Sequence, residues 1–358
     1  MSGNTGWIES LSPWPEEFGL RRMYRLLAEL GEPQRAYPSI HVVGTNGKST
    51  ATRRTAAFLA REGLCVGAYT SPHVAGWSER IQVDGEDVDF DAAVERVRTA
   101  AIGAGATQFE AVTAAALAEF AAGGVAVAVV EAGLGGRLDA TNVLDAPVVV
   151  LTNVSLDHTD VLGETREQIA REKLAVVSSG ATVVLGEPGW EQLAGERGAG
   201  EVVVAEDVAR AAAESFLGRN LAGEVEIGLP GRFDISGEDV FAGAHNPAGV
   251  EWLLARLPRT DYVICAAILA DKDVRAMLAR LGRLGTRFVA TQTQTDRSLA
   301  AAELARLARE FFPAVESVAD APAALERARV LAGPDGAVLV TGSLYLLRDL
   351  FDRLEVVR

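Results

Sequence analysis

The run Ile40-His-Val-Val-Gly-Thr-Asn-Gly-Lys-Ser-Thr50 gathers residue types suited to holding phosphate. Gly44 and Gly47 let backbone N–H groups turn inward around phosphate oxygens, and a helix opening near Lys48 adds the positive end of its dipole. Lys48 can neutralise the outer phosphates, and a hydroxyl at Ser49 or Thr50 can reach the nucleotide or its metal. Gly44, Thr45, Asn46, Gly47, Lys48, Ser49 and Thr50 are therefore the candidate nucleotide residues. The longer pattern G-x-x-x-x-G-K-[ST] would need glycine at position 42, where Val42 stands. Taken alone, a glycine turn followed by lysine is also an ordinary strand-to-helix turn, so its setting must separate the two.

That setting is a strand, a turn and a helix in the required order. Ile40–Val43 reads as a buried strand and Ser49–Glu62 as a helix stopped by Gly63. An amphipathic helix is expected near Glu16–Leu30. Further strands are expected at Cys65–Tyr69, Val125–Glu131, Val148–Asn153, Ala181–Leu185 and Glu201–Val204, with helices at Phe90–Ala104, Phe109–Ala122 and Thr165–Val177. Near-continuous apolar strands alternating with helices predict an α/β fold with a mainly parallel sheet covered on both faces. Ligands of such sheets collect at the carboxyl ends of strands. The phosphate loop, Thr70-Ser-Pro-His73, Glu131 and Asn153 all fall at or just after those ends, a placement that core packing does not require.

Residues 218–240 carry five glycines and Pro230 with little periodicity, which reads as a linker. Beyond it the alternation restarts. Strands are expected at Tyr262–Leu269, Phe288–Thr291 and Ala337–Thr341. Helices are expected at Val274–Leu284, Leu299–Phe311, Ala321–Leu331 and Leu344–Leu354. The expected organisation is an ATP-binding domain over 1–229, a linker over 230–240 and a smaller Rossmann-like α/β domain over 241–358.

Composition narrows the partners. With 358 residues the chain can bury two cores, and its 49% apolar and 23% charged content is ordinary for a globular protein. A net charge of −15 argues against nucleic acid or an anionic membrane as partner. Cys65 and Cys265 have no metal-ligand spacing and form no disulfide framework, which suits a reducing compartment. The acidic, Pro- and Trp-containing first 20 residues are unlike a signal peptide, and the apolar runs are strand-length. A cytoplasmic protein is expected.

Taken together, the motifs resemble the folylpolyglutamate synthase and dihydrofolate synthase group of the Mur ligase superfamily. The ordered set is Gly44-Thr-Asn-Gly-Lys48, Thr70-Ser-Pro-His-Val74, Glu79-Arg-Ile81, Phe109-Glu110, Glu131-Ala-Gly-Leu-Gly-Gly-Arg-Leu-Asp-Ala-Thr-Asn142 and Leu156-Asp-His-Thr-Asp160. It continues with Glu172-Lys173, Pro230-Gly-Arg-Phe233, Gly243-Ala-His-Asn-Pro247, Ala270-Asp-Lys-Asp273 and Gly342-Ser343. The resemblance implies a Mur-ligase-like ATPase domain and a C-terminal ligase domain with the active site in a cleft. It also implies ATP-dependent amide formation between a folate-type carboxylate and L-glutamate through an acyl phosphate.

By the same resemblance, Ser71 and Glu131 are expected to bind a magnesium ion with His158 close by. Lys173 is expected to be carbamylated and to help hold a second magnesium. Lys48, His158, Lys173 and His245 are the candidate catalytic groups, and Arg232 and His245 are expected to contact ATP. Phe109 and the 133–142 loop, with Arg137 and Asp139, fall on the folate side, and Asp271 and Lys272 on the glutamate side. The bland alternatives are a turn cap at Ser71, an ion pair of Glu131 with Arg137, an exposed Lys173 and plain core packing for Phe109. His41, inside the first strand, reads as structural.

The chain departs from the family pattern at several places. Ala242 replaces the aspartate of Asp-Gly-Ala-His-Asn, and the stretch from Lys173 to Gly231 is short, omitting the extra strands before the linker. Glu206-Asp207 stand where an asparagine beside the adenine is expected, and Ser49 is Mur-like. These keep two alternatives in view: a Mur-type ligase of a non-folate acid, and a nucleotide-binding relative without turnover.

Overall fold

A computed structural model describes residues 3–351. The chain divides into two units, one of Met1–Pro72 with Trp77–Ile227 and one of His73–Gly76 with Gly228–Arg358. In chain order the first unit holds α1 (Gly3–Ser10), α2 (Arg21–Glu29), β1 (Ser39–Val43), α3 (Lys48–Arg61), β2 (Val66–Tyr69), β3 (Ile81–Val83), β4 (Glu86–Asp87), α4 (Phe90–Ala104) and α5 (Gln108–Ala122). It continues with β5 (Val127–Glu131), β6 (Val148–Leu151), α6 (Thr159–Leu162), α7 (Arg166–Lys173), β7 (Thr182–Leu185), α8 (Glu191–Glu196), β8 (Glu201–Val204) and α9 (Val208–Leu217).

The sheet order is β4-β3-β2-β5-β1-β6-β7-β8. Six strands, β2, β5, β1, β6, β7 and β8, run parallel, and β3 and β4 add an antiparallel edge. Because successive side chains point to opposite faces, one apolar strand feeds two cores. Val127 and Val129 of β5 pack with Phe58 and Leu59 of α3, whereas Ala128 and Val130 pack with Val97 and Leu117 of α4 and α5. Neighbouring strands end together: Val42 of β1 is level with Glu131 of β5, and Val43 with Leu151 of β6. Polar residues just past these strands therefore share one rim.

The second unit holds β9 (Asp234–Ser236), β10 (Asp239–Ala242), α10 (Pro247–Leu254), β11 (Tyr262–Ala266), α11 (Val274–Leu281), β12 (Arg287–Ala290), α12 (Ala301–Ala308), β13 (Ala314–Ser317), α13 (Ala321–Ala332), β14 (Ala337–Thr341) and α14 (Leu344–Asp349). Its sheet runs β13-β12-β11-β14-β10-β9, parallel except for the edge strand β9. Alternation again serves two faces: Val240 and Ala242 join one core, and Phe241 joins the other. Val74, from the short His73–Gly76 excursion, is buried in the Phe241 core beside Leu346 and Leu347.

Several expectations change. The stretch 230–240, expected as a linker, contains β9 and the start of β10, so that the unit boundary falls between Ile227 and Gly228. Its glycines mark tight turns, with Gly231 and Gly237 both at positive φ, and the flanking strands are too short to show a period. The N-terminal helix starts at Arg21 instead of Glu16, after Pro15 and Gly19, and α1 precedes it. The helix expected over Leu344–Leu354 is described as far as Asp349, and residues 352–354 lie outside the described residues.

Candidate active site

The phosphate-loop residues leave β1 as a turn stapled to the end of β6. Asn46 N donates to Asn153 Oδ1 (3.0 Å), and Asn46 O accepts from Asn153 Nδ2 (3.0 Å) and Thr152 Oγ1 (2.7 Å). Thr45 N donates to Asn153 O (2.9 Å), and Thr45 Oγ1 accepts from Ser155 N (3.0 Å). Gly44 must be glycine: its φ is +150°, and a Cβ there would lie 1.9 Å from Thr152 Oγ1. Gly47, at φ +79°, stands as N-cap of α3, so Lys48, Ser49 and Thr50 open that helix. Lys48 Nζ folds back to Thr45 O at 3.4 Å.

Glu131, 1% exposed at the end of β5, ties two other elements to this loop. Its Oε1 accepts from Ser49 Oγ (3.1 Å) and its Oε2 from Ser71 N (2.9 Å). The alternative pairing with Arg137 does not form, because Arg137 Nε donates to Glu172 at 2.9 Å. Among the described residues no three His, Cys, Asp or Glu side chains cluster as a metal site. The donors present still fit magnesium, which takes hard oxygens, often one or two carboxylates completed by substrate phosphates and water. Glu131 with the Ser71 hydroxyl beside a phosphate loop is such a set. His158 follows β6 in a left-handed conformation (φ 49°), as the residue before α6, with its N–H on Asp157 Oδ1 at 2.9 Å.

Lys173 ends α7 with its side chain buried, and the residue is 4% exposed. Its Nζ donates to Gly44 O at 2.8 Å, under the phosphate loop. Burial, helped by the charge of Lys48, brings its pKa down to about 7. This is the opposite of the exposed surface lysine that the sequence also allowed. A buried amine that is substantially neutral near pH 7 is a nucleophile for carbon dioxide.

The 133–142 loop lies between α5 and α7. A Cβ at Gly133 would meet the Phe109 ring at 2.5 Å, and one at Gly136 would meet Lys173 O at 2.6 Å. Phe109 also lies 6.2 Å from the Tyr69 ring. Asp139 is buried and turned into its own loop. It accepts from Leu134 N (2.7 Å), Thr141 N (3.0 Å) and Thr141 Oγ1 (2.5 Å), and burial raises its pKa against those bonds. Thr141 Oγ1 also lies 2.8 Å from His41 Nε2. Since that hydroxyl gives its proton to Asp139, His41 is the donor, and His41, Thr141 and Asp139 form a buried chain. Burial pushes the His41 pKa down to about 4.

Arg232, His245, Asp271 and Lys272 belong to the second unit. Asp234, close to Arg232, accepts from Gly231 N, and His245 Nδ1 lies 3.1 Å from Gly243 O. Asn246 caps α10 through Gly249 N at 2.7 Å. Asp271 is held by two bonds from Arg297, at 3.2 and 2.7 Å, and Lys272 Nζ lies 3.8 Å from Asp271. Ala242 is buried at the end of β10, and Asp207 is paired with Arg54 at 3.0 and 2.9 Å while capping α9. Sequence reasoning missed the His41 chain, whose partners are 100 residues apart, and a cluster of Arg166, Glu187 and Trp190 around Val154.

Residues 42–186 match the family model of the Mur ligase middle domain, and 231–344 that of the Mur ligase glutamate ligase domain. The chain is similar to dihydrofolate synthase/folylpolyglutamate synthase of Escherichia coli, 31% identical over 98% of this chain and 95% of that protein. It is 32% identical to a probable bifunctional folylpolyglutamate synthase/dihydropteroate synthase of Haloferax volcanii, over 92% of this chain but only 48% of that one, so it spans about half of that relative. Folylpolyglutamate synthase of Mycobacterium tuberculosis complexed with ADP matches with a TM-score of 0.89 at 28% identity, over 98% of this chain and 97% of that one. The bifunctional folylpolyglutamate synthase/dihydrofolate synthase of Yersinia pestis complexed with AMPPNP and Mn ion matches at 0.84 and 27%, over 99% and 98%.

Proposed function

The chain belongs to the folylpolyglutamate synthase and dihydrofolate synthase family of Mur ligases, and from that premise we propose how its own residues divide the reaction. It is an ATP-dependent ligase that joins L-glutamate to a folate-type acid. The observation that carries the assignment of roles is the Glu131 bridge, which ties Ser49 of the phosphate loop to Ser71 through one buried carboxylate.

In the first step a substrate carboxylate oxygen bonds to the γ-phosphorus and the bond to the β-phosphate oxygen breaks, giving an acyl phosphate and ADP. In the second, the neutral amine of glutamate attacks the acyl carbon, phosphate leaves, and the amine gives up a proton as the amide forms. Such transfer depends on alignment and charge neutralisation. Lys48 supplies a cation at the phosphates, and the N–H groups at the start of α3 supply directed donors, those of Thr45 and Asn46 being given to Asn153. The nucleotide is ATP and a divalent metal accompanies it; the Yersinia relative holds AMPPNP with a Mn ion. Magnesium, when bound, draws charge off the transferring phosphoryl group, and Ser71 and Glu131 are the residues that would hold it.

His158 stands by that ion, and a second cation site would use Lys173 as its carbamate: the neutral amine adds carbon dioxide and releases a proton, leaving an anion. Arg232 and His245 serve ATP, Phe109 and Arg137 line the folate side, and Asp271 and Lys272 the glutamate side. Asp139 acts on the folate side by shaping its loop. ATP binding belongs to the unit that ends at Ile227 and glutamate ligation to the unit that resumes at Gly228. The enzyme works as a monomer in the cytoplasm, and no helix among the described residues is long and apolar enough to cross a membrane.

The test is ADP release with Mg-ATP and L-glutamate, comparing dihydropteroate, tetrahydrofolate and no acceptor, with mass spectrometry of the products. One added glutamate on dihydropteroate gives dihydrofolate synthesis, and on tetrahydrofolate, polyglutamylation. Ala242 favours one further reading, a non-folate acid with altered nucleotide contacts. Bound ATP without turnover of either acceptor would turn the assignment to it.

A further inference from the structure

We propose that the Glu187–Arg166 ion pair, with Trp190, is a positioning device that fixes the Val154 peptide and, through it, the phosphate loop. Glu187 Oε1 accepts from Val154 N (3.0 Å), Arg166 Nη2 (2.7 Å) and Trp190 Nε1 (2.8 Å). Arg166 Nε donates to Val154 O at 2.9 Å, and its guanidinium lies 5.4 Å from the centre of the Trp190 ring. One ion pair thus grips both the N–H and the C=O of a single buried residue, from opposite charges. An ordinary surface ion pair touches only its partner and contributes little. Here the paired charges are spent on backbone groups that have no strand to join, since β6 has ended at Leu151.

What that residue holds gives the grip its meaning. Thr152, Asn153 and Ser155 flank Val154, and between them they make every bond described above between the β6 end and Thr45 or Asn46. Glu187 can come this close because Gly186 precedes it: a Cβ at Gly186 would lie 2.1 Å from Thr152 O. The line therefore runs from Glu187 and Arg166 to Val154, then to Asn153 and on to the loop that meets the phosphates. None of the three side chains touches the loop, so each is a positioning residue. The inference rests on reading Gly44–Thr50 as the ATP loop.

The test is steady-state kinetics of the full-length enzyme together with Mg-ATP titration. For E187A and R166A the KM for Mg-ATP rises about 5- to 20-fold, because a displaced phosphate loop loses aligned contacts, while the KM for glutamate and for the acid stay within about twofold. E187Q keeps an oxygen that accepts all three donors, and its KM for Mg-ATP stays within about threefold of the parent. E316A, which breaks the separate Glu316–Arg327 pair, leaves all three KM values unchanged. Trp190 adds a signal: fluorescence of the parent minus that of W190F changes on Mg-ATP binding. An unchanged KM for Mg-ATP in both E187A and R166A would overturn the proposal. So would a common fall in kcat and rise in all three KM values with a lower Tm, the mark of general damage. If the parent itself binds no Mg-ATP, the reading of the loop fails as well, whereas parent-like binding by E187A sinks this inference alone.

Discussion

Lys173 places its amine 2.8 Å from Gly44 O in a buried site, and that placement has a pH signature. Its folded pKa, about 7, lies below the ordinary 10.5, so from pH 7 to 10.5 the unfolded chain holds the extra proton. The cost of burying the cation is fully present below pH 7 and is relieved as pH rises. Denaturant unfolding of the parent against K173M should therefore show the parent gaining between pH 7 and 10, and a flat difference would contradict the burial. The carbamate adds a second check: 13C-bicarbonate should give a carbamate resonance in the parent and none in K173R. His41 titrates with the same sign. Its folded pKa of about 4 lies below 6.5, so stability is lost as pH falls from 6.5 toward 4, and H41Q should lose less over that interval. T141V removes the hydroxyl joining His41 to Asp139 and should cost about 1–3 kcal/mol, read from urea midpoints, by stranding buried polar groups. The individual residues were partly legible. Lys48, Glu131 and Lys173 stand in contiguous motifs; His41 reads as structural from its place inside the first strand, but its partner Thr141, 100 residues away, could not be read from the sequence. Asp139 sits in the loop that was expected to flank substrate, yet its contacts are with that loop, a distinction only three dimensions can make.

At the scale of elements, close approach sets the limits. A Cβ at Gly136 would meet Lys173 O at 2.6 Å and Glu172 O at 2.7 Å, so the 133–142 loop and α7 touch backbone to backbone. G136A must push α7 away, and with it Lys173. We expect a loss of about 1–3 kcal/mol of stability and a fall in kcat, measured by unfolding and by ADP release; parent-like values for both would show that α7 yields freely. G44A meets Thr152 Oγ1 in an unfavourable backbone region and should lower ATP affinity more than it lowers stability, as isothermal titration would read. The long apolar strands and the Ala-rich helices α4 and α5 were plain in the sequence because burial on both faces leaves unbroken Val and Ala runs. The shorter pieces were not. The β3–β4 hairpin is only Ile81–Val83 and Glu86–Asp87, and β9 is Asp-Ile-Ser, too brief and polar for any period to register.

At the scale of the whole molecule, the sequence suggested two consecutive domains, but the chain passes between units three times. No local pattern marks the His73–Gly76 excursion, because Val74 has a single apolar side chain and its partners Phe241, Val340 and Leu347 arrive much later. V74A should lower stability by about 1–3 kcal/mol, and calorimetry should show the loss in the transition of the second unit; a mutant as stable as the parent would place Val74 outside its core. The excursion also bears on how the protein is born. At about 5–20 residues per second, a ribosome needs very roughly a quarter-minute to a minute to travel from Val74 to Leu347. Once Ile227 has been made, and until the interval ends, the first unit can close its own sheet while holding out an apolar finger whose socket is incomplete. A nascent chain with this design is a natural client for a holding chaperone, and its last folding event is the capture of its own early segment by its C-terminal half.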